Sequence, residues 1–133
     1  MPNMADITIK KADGTTDIIY TALAPSAGDK TPATWRTEAV GTVAANRPVL
    51  TVTSKSSQDK MARIVEGHLS YPETVTDTTT GLTSVRLRES FSFKSIIRTD
   101  AADATTSEMS AQGVNLLKSP LIQSVLKTGF APQ

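Results

Sequence analysis

VRLRESFSFKSII, running from Val85 to Ile97, is the stretch whose reading decides the fold. Successive side chains of a β-strand point to opposite faces, so the run separates into two sets. Val85, Leu87, Glu89, Phe91, Phe93 and Ile97 share one face, apolar except for Glu89. Arg86, Arg88, Ser90, Ser92, Lys94 and Ile96 share the other, which is cationic and rich in hydroxyls. A strand divided in this way is half buried and half turned toward water or an anionic partner. Two further runs fit beside it. Val49 to Lys55 places Thr51, Thr53 and Lys55 on one side, and Met61 to Tyr71 places Glu66 and His68 opposite Val65, Gly67 and Leu69. The polar pentapeptide SSQDK, Ser56 to Lys60, joins these two runs as a hairpin turn. Gly67 in mid-strand marks either a bulge or the close approach of another backbone.

Upstream, Ile7 and Ile9 alternate with polar neighbours, Asp13-Gly14 interrupts, and Ile18, Ile19, Tyr20 and Leu23 resume. Asp-Gly between two β-prone runs is a hairpin signal, which predicts strands over about 5–11 and 16–23. Ala24 to Pro32 carries two prolines and a glycine and reads as a loop. Ala33 to Val40 forms a short strand whose Trp35 suits a core or subunit contact better than base stacking. Gly41 to Pro48 reads as a turn. Downstream, Pro72 to Thr83 is a threonine-rich loop of a length that usually marks function or mobility. The spacing then turns helical. Thr99 or Asp100 caps a first helix, with Asp103 in its first turn favourable to the dipole. Met109, Val114, Leu116 and Leu117 form its stripe. Ser119-Pro120 ends it, Pro120 opens a second helix, and Gly129 stops that one. Leu121, Ile122, Val125 and Leu126 make the second apolar face. Two such helices must lie on the sheet, on each other or on a partner. Strands first and helices last is an α+β arrangement within one domain, 1–133: a hairpin over 1–23, a sheet over 33–97 and two helices over 100–128.

The chain has 133 residues, enough for one core and hardly for two. Its hydrophobic fraction of 38% and aromatic fraction of 5% are low, so a second copy is expected to complete the interior. Net charge is only +1, yet the span from Arg47 to Arg98 holds eight bases against five acids. That excess fits a basic working face, and it fits an ordinary solvated one equally well. There is no cysteine, hence no disulfide and no thiolate metal site, which suits a cytoplasmic origin. The N-terminus lacks the apolar core of a signal peptide, and no apolar run reaches membrane-spanning length. A soluble protein is expected.

Little in the sequence proposes catalysis. His68 is the only histidine, too few for a zinc site. No phosphate-binding glycine loop, dinucleotide fingerprint or nucleophile elbow is present. The expectation is therefore no enzyme, no cofactor and no metal. Binding fits better. With the three strands side by side, Thr51, Thr53, Lys55, Glu66, His68, Arg86, Arg88, Ser90, Ser92 and Lys94 share one surface. Lysine and arginine neutralise phosphates, and hydroxyls reach sugar, phosphate or base edges. Stacking would fall to Arg86 and Arg88, because this face has no aromatic unless Tyr71 or Tyr20 reaches it. Glu66 and Ile64 weaken a purely phosphate-binding reading. From the residues alone, an RNA surface and a plain solvated face both stand.

The order of elements also resembles the coat proteins of the small single-stranded RNA bacteriophages, the Q-beta branch above all. The residues that carry the likeness are RPVLTVTSKSSQDK (Arg47 to Lys60), ESFSF (Glu89 to Phe93) and LLKSPLIQSVLKTGFAP (Leu116 to Pro132). The likeness spans the chain in pattern; its identical matches are short, and Lys94 to Leu116 is a few residues longer than in Q-beta. The resemblance implies an intertwined homodimer with one continuous sheet, the helices of each copy reaching over the other through Leu116, Leu117, Leu121, Ile122 and Val125. It implies that dimers close into an icosahedral shell around the genome, a virion protein made in the bacterial cytoplasm. It further implies an inner sheet face that binds an RNA stem-loop as a translational repressor. Arg86, Arg88, Thr51, Thr53, Glu66 and His68 fall where that family contacts RNA. Its aromatic stacking position is Arg86 here, so either a different stem-loop is preferred or specific binding is absent. Pro72, Thr79 and Gly81 match the loop between dimers, which in Q-beta carries cysteines and here carries none. A cellular α+β RNA-binding dimer without a shell, or another phage structural protein, are the competing readings.

Overall fold

The structure, a computed structural model, describes residues 2–39 and 43–133. Val40, Gly41 and Thr42, where the third expected strand passes into its turn, lie outside them. Six strands follow one another as β1 (Ile7–Lys10), β2 (Asp17–Ala24), β3 (Ala33–Thr37), β4 (Val49–Ser56), β5 (Ala62–Thr76) and β6 (Thr83–Arg98). They form one sheet in chain order, so β1 and β2 extend the same layer that the later strands build. Two helices close the chain, α1 (Asp103–Lys118) and α2 (Pro120–Thr128). The α+β class is as the sequence predicts. Two compact units emerge, one ending at Ile96 and one beginning at Ile97.

Cross-strand partners share a face, and the register sorts the sheet unit into two. Thr51 faces His68, Thr53 faces Glu66 and Lys55 faces Ile64 on one side. Leu50 faces Leu69 and Trp35, and Val52 faces Gly67 and Ala33, on the other. Ile7–Tyr20 and Ile9–Ile18 continue that apolar side to the first strand. Trp35 is anchored there by its indole N–H, which donates to the Ala5 carbonyl at 2.8 Å. Ile18, Tyr20, Thr37 and Ala62 are buried. Leu87, Phe91 and Phe93 on β6 remain more than a third exposed, so much of the apolar side is bare in the single chain.

The Asp13-Gly14 turn shows why the first hairpin forms where it does. Gly14 takes φ +73°, and the Asp13 carboxylate accepts the Thr15 and Thr16 amides at 2.9 Å each and the Thr16 hydroxyl. The Thr16 hydroxyl, then the Thr16 and Thr15 amides, hold the Asp13 carboxyl down to about 2 from an ordinary 3.8. As pH falls, the unfolded chain therefore takes up this proton first. The stabilisation is whole above about pH 4 and drains away toward pH 2. Asp13→Ala is expected to melt below the native chain at pH 6, with the difference narrowing by pH 2 in paired thermal scans. A difference that did not change with pH would mean that the carboxylate's charge is not what holds the turn.

Three local expectations need correction. The first is the long loop over Pro72–Thr83, which shrinks to Asp77–Leu82, because β5 runs on to Thr76. Pro72 is a buried strand residue and not part of the turn. Thr79 and Gly81 do lie in it: Asp77 accepts the Thr79 amide at 2.8 Å, and Gly81 takes φ +70°. The second is the start of α1. Ala102 occupies the cap with no side-chain bond, and neither Thr99 nor Asp100 does. Asp100 instead accepts Nε and a terminal nitrogen of Arg98 at 2.9 and 3.1 Å, a forked pair that engages both carboxylate oxygens. Asp103 sits in the first turn as anticipated. The third concerns Gly67. The β4–β5 register passes Gly67 without a shift, whereas the β2–β3 register shifts between Ala22 and Ala24. A Cβ on Gly67 would stand 2.0 Å from Phe93 Cε1, so the position accommodates an aromatic ring. Pro120 opening α2 and Gly129 ending it at φ +77° are both as the sequence indicates.

Candidate functional site

The polar side of β4, β5 and β6 is built by strand alternation, and its residues come from three parts of the sequence. Thr51 and Thr53 from β4, Glu66 and His68 from β5, and Ser92 and Lys94 from β6 line one open depression of about 420 Å³. Gly67 and Phe93 complete the lining. Hydrogen bonds tie the strands across it. His68 Nδ1 lies 2.9 Å from Ser92 Oγ, and the Thr51 hydroxyl donates to the His68 carbonyl at 3.4 Å.

Glu66 is the electrostatic centre. Its Oε2 accepts Lys55 Nζ at 3.2 Å, and its Oε1 pairs with Lys94 Nζ at 3.4 Å. One carboxylate thus bridges lysines on both neighbouring strands. The Lys55 ammonium foremost, and then Lys94, keep the Glu66 carboxyl below its ordinary range. All three side chains are 37–55% exposed, so each pair adds little to stability. Their main effect is on the charge that the depression presents.

The expected surface residues do not all converge. Lys55 joins through Glu66 and does not line the depression. Arg86 lies farther along β6, directed at Glu73 at 3.4 Å and two-thirds exposed. Arg88 donates to the Ala45 carbonyl at 3.0 Å. Ser90 is exposed on β6 between Arg88 and Ser92. The ten residues are therefore one compact group around Glu66 and an arginine pair displaced along the last strand. Sequence reading did not anticipate Gly67 and Phe93 in the lining, nor Glu66 as a bridge. The first had a signal in the mid-strand glycine, whereas the second required the β4–β5–β6 register. Among the described residues, no group of three or more His, Asp or Glu side chains is placed to hold a metal ion.

No family model and no curated protein sequence matches the chain. Solved structures do. The virus-like particle protein of Beihai levi-like virus 21 superposes with a TM-score of 0.83 at 16% identity, covering 99% of each chain. That of bacteriophage NT-214 gives 0.83 at 12% identity, over 99% of this chain and all of the other. The capsid protein of bacteriophage GA gives 0.74 at 15% identity, over 96% and 95%. The chain is similar to these proteins in fold from end to end.

Proposed function

We propose that the chain is a capsid subunit of a small RNA phage. It pairs with a second copy, the pairs close into an icosahedral shell, and the polar sheet face holds single-stranded RNA inside. The observation that carries this reading is the end-to-end likeness in fold to proteins described as virus-like particles and capsid, with almost no residue of either chain left over.

The chain's own surface supports pairing. β6 ends the sheet, so on its outer edge the backbone donors and acceptors of alternate residues along the strand Thr83–Arg98 have no strand neighbour in the sheet. A long edge carrying Phe91 and Phe93 invites another strand unless something covers it. A second β6 would satisfy that edge and continue the apolar side across both copies. The helices support the same reading. Neither α1 nor α2 contains a buried residue, and Leu116, Leu121, Leu126 and Phe130 are all more than half exposed. In this proposal Leu116, Leu117, Leu121, Ile122 and Val125 cover the partner, and the Asp77–Leu82 turn with Thr79 and Gly81 meets neighbouring pairs. The place of work is the virion, reached from the host cytoplasm, and the role is structural and not catalytic. A stem-loop bound on the inner face would also let the pair repress translation.

Electron microscopy of the protein expressed alone tests the reading: uniform closed shells are expected, whereas isolated pairs or tubes would overturn it. Arg86→Ala combined with Arg88→Ala should leave pairing intact and lower the RNA recovered per shell by half or more, measured by absorbance ratio after nuclease treatment. Each lost arginine removes a phosphate contact that counts in binding. Unchanged RNA content would move the nucleic-acid surface elsewhere.

A further inference from the structure

The depression that a polyanion would enter has an anion at its centre already. Glu66 is the only acid among the lining residues. Both of its oxygens are engaged, Oε2 by Lys55 and Oε1 by Lys94, from strands on either side. The three together carry a net charge of +1 and not +2. A backbone phosphate must displace the carboxylate from both ammonium groups while being repelled by it. Lysine binds phosphate as a point charge, and that charge is the quantity Glu66 offsets. The exposure of the three side chains argues against a stabilising role for the pairs. The carboxylate keeps unused lone pairs, since ionised Glu has about four acceptor sites. These can accept from an amino group on a base edge, which a phosphate cannot supply. A ligand that offers such a donor meets an acceptor; a bare sugar-phosphate strand meets a competitor.

We infer that Glu66 is a specificity-determining residue, an internal counter-ion that offsets Lys55 and Lys94 toward non-specific RNA backbone while leaving an acceptor for base amino groups. The inference rests on the RNA-holding reading above and deepens it. Its test is binding of polyuridylate, which has no exocyclic amine, to the full chain freed of nucleic acid, titrated across salt concentrations. Glu66→Gln should bind about tenfold tighter near 0.1 M salt. Its plot of log affinity against log salt should be steeper by about 0.7 to 1.4, since each phosphate contact to a single strand contributes about 0.7 and one or both lysines are released.

Lys55→Gln with Lys94→Gln supplies the reciprocal measurement. With Glu66 native, the double change should cost clearly less than it does in the Glu66→Gln background, because the carboxylate already holds both ammonium groups and offsets one of their two charges. In the Glu66→Gln background it should remove the whole gain. A purely structural role for Glu66 would leave the salt slope unmoved. If the native chain binds polyuridylate and Glu66→Gln binds no tighter, this inference falls and the RNA-holding reading stands. Weaker binding by Glu66→Gln would make the carboxylate a tether for its lysines and overturn the inference equally. So would equal losses on removing both lysines with and without a native Glu66, since groups that do not interact add. Failure of every variant and of the native chain to bind polyuridylate would remove both proposals together.

Discussion

Leu121→Asp is expected to yield no paired subunit at any ordinary protein concentration. Leu121 lies in the first turn of α2, 60% exposed in the single chain, next to half-buried Ile122 and one turn before Val125. If a second copy covers this face, each pair contains two such leucines by symmetry. Burying one leucine side chain is worth about 2 kcal/mol, and an aspartate in its place must also shed water without a partner. Counting both copies, the loss is at least about 5 kcal/mol, between three and four orders of magnitude in dissociation constant. Light scattering coupled to size exclusion should then show monomer or aggregate, and no shells should form. Leu117→Asp, on the last turn of α1, should act in the same direction. A Leu121→Asp chain that still ran as a pair and assembled would show that α2 is not the covering element. A native chain that was monomeric and fully folded would be a more serious contradiction, because its helices would then be apolar without a reason.

Those helices and the last strand were the most legible parts of the sequence, and physics explains the contrast with the rest. Alternation over Val85–Ile97 is a purely local property, Pro120 fixes its own φ, and Gly129 takes without strain the left-handed angle that ends α2. Pro72 misleads because proline is read as a strand breaker on the assumption that a neighbouring strand needs the N–H it lacks. The β4–β5 ladder ends at the Val49–Ser70 pair. Past Ser70, β5 has lost its β4 neighbour, and a proline on that stretch forfeits little. The strand therefore continues to Thr76, and the turn becomes six residues instead of twelve. The start of α1 misleads for a different reason. Asp100 is a good cap by type, but Arg98 two residues earlier offers a forked ion pair. At the candidate site, alternation alone puts Thr51, Thr53, Glu66, His68, Ser92 and Lys94 on one side, and these six line the depression. It could not show that Glu66 ties Lys55 to Lys94, since that depends on which residues stand opposite across two ladders.

Gly67→Ala should destabilise the chain through a single aromatic ring. The new methyl would stand 2.0 Å from Phe93 Cε1 and 2.1 Å from Cζ, far inside any tolerated contact. Two responses are available. The β5–β6 pairing can slip, which would turn every following side chain to the wrong face. Alternatively the ring can swing outward, which its 41% exposure permits. The second costs less and should prevail, giving a loss of about 1–3 kcal/mol, in the range for an overpacked site. Denaturant titration would measure it. The diagnostic is the combination with Phe93→Ala. Alone, that change forfeits the ring's contact with the strand; in the Gly67→Ala background there is no such contact left to lose. The second substitution should then cost almost nothing, or restore part of the stability. Sites that do not touch add within about 0.5 kcal/mol, so simple additivity would mean that the ring is not what occupies the space above Gly67. The displaced ring also lies on β6, the strand proposed to meet its counterpart in a second copy. Gly67→Ala is therefore expected to weaken pairing as well as folding, and Gly67→Ala with Phe93→Ala to recover folding further than pairing, because the pair would still lack the phenyl group at its seam.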